Sequence, residues 1–302
     1  MTYSSRYAPT PSGFLHQGNA FNFLLVWLAM RSMGGSIRLR IDDMDEARCR
    51  PAYLEDIFRS LEWLGLDWDL GPFSVAEHMA HFRQRQRLPM YQEALENLRS
   101  RGQLFACDCS RKDMMDASPD GSYPGTCREK KLPFDQPDQA WRMRTPWPLS
   151  ETWQDHSLGQ VKILVEESLR DLVLRKKDGW PAYQLSSLID DIHYGTTHVV
   201  RGEDLLTSTA CQRWLARELE NGTFSDIHFY HHGLLVETNG EKLSKSAGAS
   251  SLQSRYGAGE SSAPLLLAFA RWMGWNDFGG TGTEDLLAYV KESGKRLFIP
   301  RS

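Results

Sequence analysis

Residues 6–19 read RYAPTPSGFLHQGN, and residues 24–35 read LLVWLAMRSMGG. Two prolines, two glycines and a histidine stand directly ahead of an apolar run of helical length. That run ends in Gly34-Gly35, a C-terminal helix stop. Upstream, residues 3–8 alternate weakly and predict a short strand. Downstream, Ser36–Ile41 predicts another, with Ile37, Leu39 and Ile41 on one face. Leu54, Ile57, Phe58, Leu61 and Leu64 then recur at helical spacing. Strand, glycine-bearing turn, helix, strand, helix is the order of a parallel α/β sheet.

A strand that hands over to a helix through such a turn creates an anion site. Unpaired backbone N–H groups point outward there, and the helix dipole adds partial positive charge. Gly18 lets a phosphate approach the backbone, His16 can donate to a phosphate oxygen, and Asn19 can add a second donor. Taken alone, the stretch also reads as a plain tight turn. A second stretch, EKLSKS at 241–246, bears on that choice. Lys242 and Lys245 bracket a small hydroxyl residue in a polar loop. Such an arm can fold over a polyphosphate and stabilise charge that develops as it is cleaved.

The bulk numbers agree with a folded globular chain. The 302 residues are 41% hydrophobic, 25% charged and 11% aromatic, enough for two or three compact units and against disorder. A net charge of -4 gives no global attraction to nucleic acid but leaves room for a local basic face. The N-terminus, MTYSSRYAPT, lacks an apolar signal core, and no stretch approaches the roughly 20 apolar residues that cross a bilayer. The expectation is a cytoplasmic protein without a membrane partner. An odd cysteine count, five, speaks against a disulfide framework. Cys49 and Cys211 stand alone and read as inert small side chains.

Further along, a polar helical segment contains HFRQRQR (81–87). Residues 103–150 carry a cysteine cluster, many Pro and Gly residues and little periodicity, as expected of an inserted, loop-rich unit. Alternation near 160–175 predicts strands. From Tyr183 the α/β pattern returns, with a helix to about Asp190, a strand at Thr197–Arg201, a helix near 208–220 and a strand near Ile227–Tyr230. A Gly/Ser-rich loop (246–262) precedes a last helical region, and GGTGTED (279–285) reads as a loop.

At this point the chain resembles a known family. HQGN is similar to the HIGH-type signature of class I aminoacyl-tRNA synthetases, and KLSKS to their KMSKS-type signature. RYAPTPSGFLHQGN, LRIDDMD, LEWLGLDWDLGP and THVVRGEDLL resemble glutamyl-tRNA synthetase catalytic domains, in the family's order across most of residues 6–250. The resemblance implies a Rossmann-type parallel sheet. Its expected divisions are a first half of the core at 1–95, an inserted acceptor-type, zinc-bearing unit at 96–180, a second half at 181–232, and the KLSKS loop with a C-terminal helical, stem-contact region at 233–302. Some 55 residues follow KLSKS, which predicts no anticodon-binding domain and points to the family's free-standing glutamyl-queuosine branch. That branch activates glutamate with ATP and Mg²⁺ without needing tRNA. It then attaches the glutamyl group to queuosine in the anticodon of tRNA(Asp). Nothing in the sequence demands more than a monomer.

Cys107, Cys109 and Cys127 offer three thiolates within a short span, which suits tetrahedral Zn²⁺ with one further ligand. Asp108, Asp113, Asp116 and Tyr123 are chemical candidates for it. The resemblance selects Tyr123, because the glutamyl-queuosine enzymes hold zinc with a Cys-x-Cys…Tyr-x-x-x-Cys set. A structural zinc stapling the insertion is therefore expected.

A glutamate pocket needs arginines for two carboxylates and an acid for the ammonium. Arg6 and Arg201 fall at the strand ends where α/β sheets bind ligands. The resemblance places the substrate site on Arg6, Tyr7, Ala8, Pro9 and Thr10, on Tyr183 and on Arg201, with Asp42 for the ammonium. The family usually carries Glu at that last position. Asp is about 1.5 Å shorter, which opens a second expectation: a ligase of the same scaffold that activates a different acid or uses a different acceptor. A third is a non-catalytic nucleotide- or tRNA-binding module. In the main reading no side chain is a nucleophile. The substrate carboxylate attacks the α-phosphate while His16, Asn19, Lys242 and Lys245 hold the phosphates.

Overall fold

The computed structural model describes residues 3–118, 122–165, 169–234, 251–294 and 297. Strand β1 (Ser4–Tyr7) runs parallel to β2 (Ser36–Leu39), with Ser4 opposite Ser36 and Tyr7 opposite Leu39. The connection is helix α1 (Gln17–Met33). It starts at Gln17 rather than at the apolar run, because His16 and Asn19 cap it. Its far end closes on Gly34 at φ 66°, a left-handed conformation that favours glycine. Almost every residue from Ala20 to Met30 is buried, as an all-round apolar helix requires. Helix α2 (Pro51–Leu64) buries Leu54, Ile57, Leu61 and Leu64.

The polar segment that follows is not one helix. Helix α3 (Val75–Glu77) runs into a π turn over His78–Phe82 and a 3₁₀ turn over Gln84–Arg87 before α4 (Leu88–Ser100). The break has a cause: the Gln84 N–H donates to Asp43 Oδ1 at 2.8 Å instead of to a helical carbonyl. Strands β3 (Leu104–Cys107), β4 (Ala140–Met143) and β7 (Val173–Arg175) form an antiparallel sheet in the order β3-β4-β7. Between β3 and β4 lies helix α5 (Arg111–Ala117), and β5 (Ser150–Asp155) and β6 (Gly159–Leu164) form a separate hairpin.

Helix α6 (Tyr183–His193) leads to β8 (His198–Gly202), α7 (Leu206–Glu218) and β9 (His228–His232), and β8 runs parallel to β9. Ser4 joins the two βαβ units. Its N–H donates to Thr197 Oγ1 at 2.8 Å, and its carbonyl accepts from the Thr197 N–H at 3.1 Å. The spatial order is thus β2-β1-β8-β9. One connection winds outward from β1 and the other from β8. The carboxyl ends of these two strands therefore flank a topological switch point, where open α/β sheets bind ligands. Arg6 and Arg201 stand at those ends.

The chain finishes with α8 (Leu252–Gly257), α9 (Ala263–Trp272) and α10 (Thr283–Ser293). Two expected loops are corrected here. Residues 246–262 contain α8, capped by Ser251, whose side chain accepts from the Ser254 N–H. Residues 279–285 contain the start of α10, whose Asp285 carboxylate accepts from the N–H groups of Thr281 and Gly282. Leu265, Leu266, Phe269, Trp275 and Leu286 complete the core around α1.

Candidate active site

At the switch point the chain buries four guanidinium groups against three carboxylates. Arg6 Nε donates to Asp191 Oδ1 at 2.9 Å. Arg40 Nη1 donates to the same oxygen at 2.7 Å, and its Nε and Nη2 grip Asp42 at 2.8 and 3.1 Å. Arg87 donates through Nε and Nη2 to Asp190 at 2.6 and 2.9 Å, and Tyr91 Oη and Gln84 Nε2 also donate to that carboxylate. Arg201 is the exception. It is 4% exposed, its Nη1 donates to Gln212 Oε1 at 3.0 Å and its Nη2 to Thr209 Oγ1 at 2.6 Å. Among the described residues its Nε finds no acceptor and no carboxylate lies within 4.0 Å of it. Among them, the cluster therefore holds one guanidinium without an acid of its own, Arg201.

The titration of these groups follows from the pairing. Burial pushes the Asp191 carboxyl up, but Arg6 and Arg40 override it and hold it below the usual range. Burial outweighs Arg40 at Asp42, whose carboxyl is pushed up. Burial lowers the Arg201 guanidinium, with Tyr183 opposing. Tyr183, the first residue of α6, is 45% exposed and stands at the mouth of this cluster. Asp43 and Asp45 are ion-pair residues: Asp43 meets His78 and Arg83, and Asp45 meets Arg48.

Successive residues of β1 point to opposite faces, which separates two predicted ligands. Arg6 faces the cluster. The Tyr7 side chain is buried in the core against Phe23, with its hydroxyl donating to Asp67 O at 3.3 Å. Only its backbone reaches the site, where Tyr7 O accepts from Arg40 N at 2.9 Å. Pro9 O likewise accepts from Asp42 N at 2.9 Å, so the Ala8–Thr10 stretch is laced to the strand end carrying Asp42.

The glycine-bearing turn is fixed before any ligand arrives. His16 is the N-cap of α1; its Nδ1 accepts from Gly18 N at 3.1 Å, and Asn19 Oδ1 accepts from His16 N at 3.0 Å. The carbonyl end of the Asn19 amide thus serves the cap. A Cβ at Gly18 would stand 3.0 Å from His16 Cε1, so any larger residue there has to displace the capping ring. Beneath the turn, buried Asp56 accepts from Leu15 N at 2.7 Å and from Tyr256 Oη at 2.7 Å. Leu252 N donates to Leu15 O at 2.8 Å, and His232 Nε2 lies 3.1 Å from Asn22 Oδ1 on α1. Lys242 and Lys245 lie outside the described residues. The described residues on either side of them are both fastened beside the N-terminal part of α1.

Between the end of β3 and β4, the sulfurs of Cys107, Cys109 and Cys127 all lie within 4.8 Å of one another. The Tyr123 hydroxyl accepts from the Cys127 N–H at 2.8 Å, and Asp108 Oδ1 is 3.0 Å from Cys127 Sγ. Three thiols beside a phenol form a donor set that can hold a soft or borderline divalent metal. The two isolated cysteines are inert, since burial raises Cys49 to about 11 and Cys211 to about 12.

Sequence reasoning missed Arg40, Asp190, Asp191, Thr209 and Gln212. The Asp190-Asp191 doublet inside the otherwise apolar face of α6 was a signal, because acids on a buried helix face need cations.

These features define the catalytic core of a class I aminoacyl-tRNA synthetase. The family model for tRNA synthetases class I (E and Q), catalytic domain, matches residues 3–289, and the chain belongs to that family. Among its relatives is a protein of Rhodobacter capsulatus named Glutamyl-Q tRNA(Asp) synthetase, 36% identical over 86% of this chain and 97% of the relative. A Bordetella bronchiseptica protein of the same name is 38% identical over 91% of this chain and 82% of its own length. The structure of a glutamate tRNA ligase from Elizabethkingia meningosepticum, solved with its amino acid, aligns over the whole chain with a TM-score of 0.75 at 23% identity, and 66% of that chain is covered.

Proposed function

We infer that this chain activates glutamate with ATP to glutamyl-adenylate and transfers the glutamyl group to queuosine in tRNA(Asp). The observation that carries the amino-acid part is Arg201. A buried guanidinium without an acid, at the switch point, matches a substrate that is a net monoanion. The relatives that share a third or more of their residues with this chain support the acceptor by their name.

Arg6 and Arg201 would take the substrate's carboxylates, with Tyr183 at the entrance and Asp42 facing the ammonium. A carboxylate held by Arg40 still has lone pairs for a further donor. The N–H groups at the start of α1, with His16 and Asn19, would hold the ATP phosphates. Lys245, assisted by Lys242, would close over pyrophosphate as it leaves. Mg²⁺ would arrive with ATP. Cys107, Cys109, Cys127 and Tyr123 would hold a structural zinc in the inserted unit. No described helix is long and apolar enough to cross a membrane, and the cytoplasm is the proposed location.

ATP–pyrophosphate exchange across amino acids, followed by glutamate transfer to tRNA(Asp) with and without queuosine, tests the assignment. Exchange with glutamate and transfer only to the queuosine-bearing tRNA are expected. Lys245→Ala is expected to lower the exchange rate far more than it changes the melting temperature. Exchange with another acid in place of glutamate would overturn the amino-acid assignment.

A further inference from the structure

Among the described residues Arg201 has no acid in contact, yet an acid reaches it indirectly. Its Nη2 donates to Thr209 Oγ1 at 2.6 Å, and Thr209 Oγ1 lies 2.7 Å from His231 Nε2. On the far side of the ring, His231 Nδ1 lies 2.5 Å from Asp155 Oδ2. Thr209, His231 and Asp155 are each 0% exposed. Four residues from β8, α7, β9 and the β5–β6 hairpin thus form one closed file.

Proton counting gives the file a direction. A carboxylate only accepts, so His231 Nδ1 must carry a proton. Burial, reinforced by Arg201, lowers the His231 pKa and keeps the ring neutral despite Asp155. Its Nε2 is then an acceptor. The single proton of the Thr209 hydroxyl has two acceptors in reach, His231 Nε2 at 2.7 Å and Leu205 O, one turn back, at 3.0 Å; the shorter contact and the otherwise unmet Nε2 direct it to His231. That hydroxyl in turn can only accept from Arg201. Every link runs one way, from Arg201 through Thr209 and His231 to Asp155. The Asp155 end is anchored independently. Its Oδ1 accepts from the N–H groups of Ser157 at 2.9 Å and Leu158 at 3.1 Å, which build the hairpin turn.

We propose that Thr209, His231 and Asp155 are positioning residues for Arg201, a directional relay that fixes the rotation of its guanidinium toward the substrate carboxylate and ties that orientation to the β5–β6 hairpin. The proposal rests on the reading of Arg201 as a glutamate anchor. Without the relay, Arg201 retains Gln212 and the Phe229 ring 5.1 Å away but loses the bond that fixes Nη2. Loss of orientation weakens charge-assisted binding while leaving the nucleotide site intact.

The test uses full-length Thr209→Val, Thr209→Ser and Arg201→Lys in glutamate-dependent ATP–pyrophosphate exchange, with ¹⁵N NMR of the His231 ring in the unmodified protein. Thr209→Val is expected to raise the glutamate KM about tenfold, the scale of one hydrogen bond to a charged group, with the ATP KM unchanged. Thr209→Ser restores the glutamate KM because it keeps the hydroxyl. The NMR spectrum is expected to show a neutral ring protonated on Nδ1. A wild-type glutamate KM in Thr209→Val alongside a raised one in Arg201→Lys overturns the relay and spares the pocket. An equal rise in both KM values reduces Thr209 to a structural role and also overturns it, as does a His231 proton on Nε2. An unchanged glutamate KM in Arg201→Lys brings down the pocket assignment and the relay together. The NMR measurement stands even where a variant fails to fold.

Discussion

Replacing Arg201 with methionine separates binding from folding. Methionine keeps much of the side-chain volume and removes the charge. The loss leaves Gln212 Oε1 and Thr209 Oγ1 without their donor, at about 1–3 kcal/mol for each unsatisfied group. Against this, the variant no longer buries a cation that lacks an acid in contact, a penalty of several kcal/mol per ion. Arg201→Met is therefore expected to fold as stably as the parent or more so by ~1–3 kcal/mol. Binding moves the other way. Two N–H···O⁻ bonds to a substrate carboxylate are together worth about 3–6 kcal/mol, so glutamate binds on the order of 10²- to 10⁴-fold more weakly. Arg87→Met is the control. Its partner Asp190 is fully buried and held by both Nε and Nη2, so a carboxylate left with only neutral donors in contact costs about 3 kcal/mol, the lower end of a broken buried pair. Thermal melts with and without glutamate read both quantities. Saturating glutamate at 100-fold its Kd stabilises the parent by about 2.7 kcal/mol and Arg201→Met by no more than about 0.4 kcal/mol. The reasoning fails if Arg201→Met melts as low as Arg87→Met, or if glutamate raises its melting temperature as much as it raises the parent's.

The thiol cluster is expected to hold one zinc per chain by metal analysis. A chelator should lower the melting temperature of the parent, and Cys127→Ser should abolish both the metal and that response. Gly18→Ala places a methyl 3.0 Å from the His16 ring and should raise the ATP KM several-fold in exchange assays without moving the glutamate KM; the helix itself gains from alanine. Acid sensitivity follows from His198. Burial, then the neighbouring charges of His228 and His156, lower its pKa to about 4. Its folded value lies below its unfolded value of about 6.5, so between these limits the unfolded chain binds more protons and stability rises with pH. The full contribution is present above pH ~6.5 and up to about 3 kcal/mol is lost as pH falls toward 4. His198→Phe should flatten that loss in melts at pH 7.5 and 5.0.

What the sequence revealed depends on the range of the forces involved. Gly34 as a helix stop, the alternation of Ile37, Leu39 and Ile41, and the placement of Arg6 and Arg201 at strand ends are local matters that spacing encodes. The partners of the buried charges are not. Arg40 meets Asp191 across 151 positions and Arg87 meets Asp190 across 103, and no periodicity announces such pairs. HFRQRQR belonged to a predicted polar helix, yet Gln84 and Arg87 turn inward because Asp43 and Asp190 wait beneath them. Tyr7 belonged to a binding motif by position, but strand alternation sends its ring into the core. Helix α8 escaped notice because its glycine- and serine-rich surroundings suggest a loop, and a short helix needs only the Ser251 cap and tertiary packing to form.

Asp56 makes the C-terminal helices a splint for the glycine-bearing turn ahead of α1. One carboxylate receives Leu15 from above and Tyr256 of α8 from the side, while Leu252 grips the Leu15 carbonyl directly. Truncating the chain ahead of Ser251 would keep His16, Asn19, Lys242 and Lys245 in the sequence, yet slacken the turn proposed to hold the triphosphate. The tail and the first loop are thus one mechanical part.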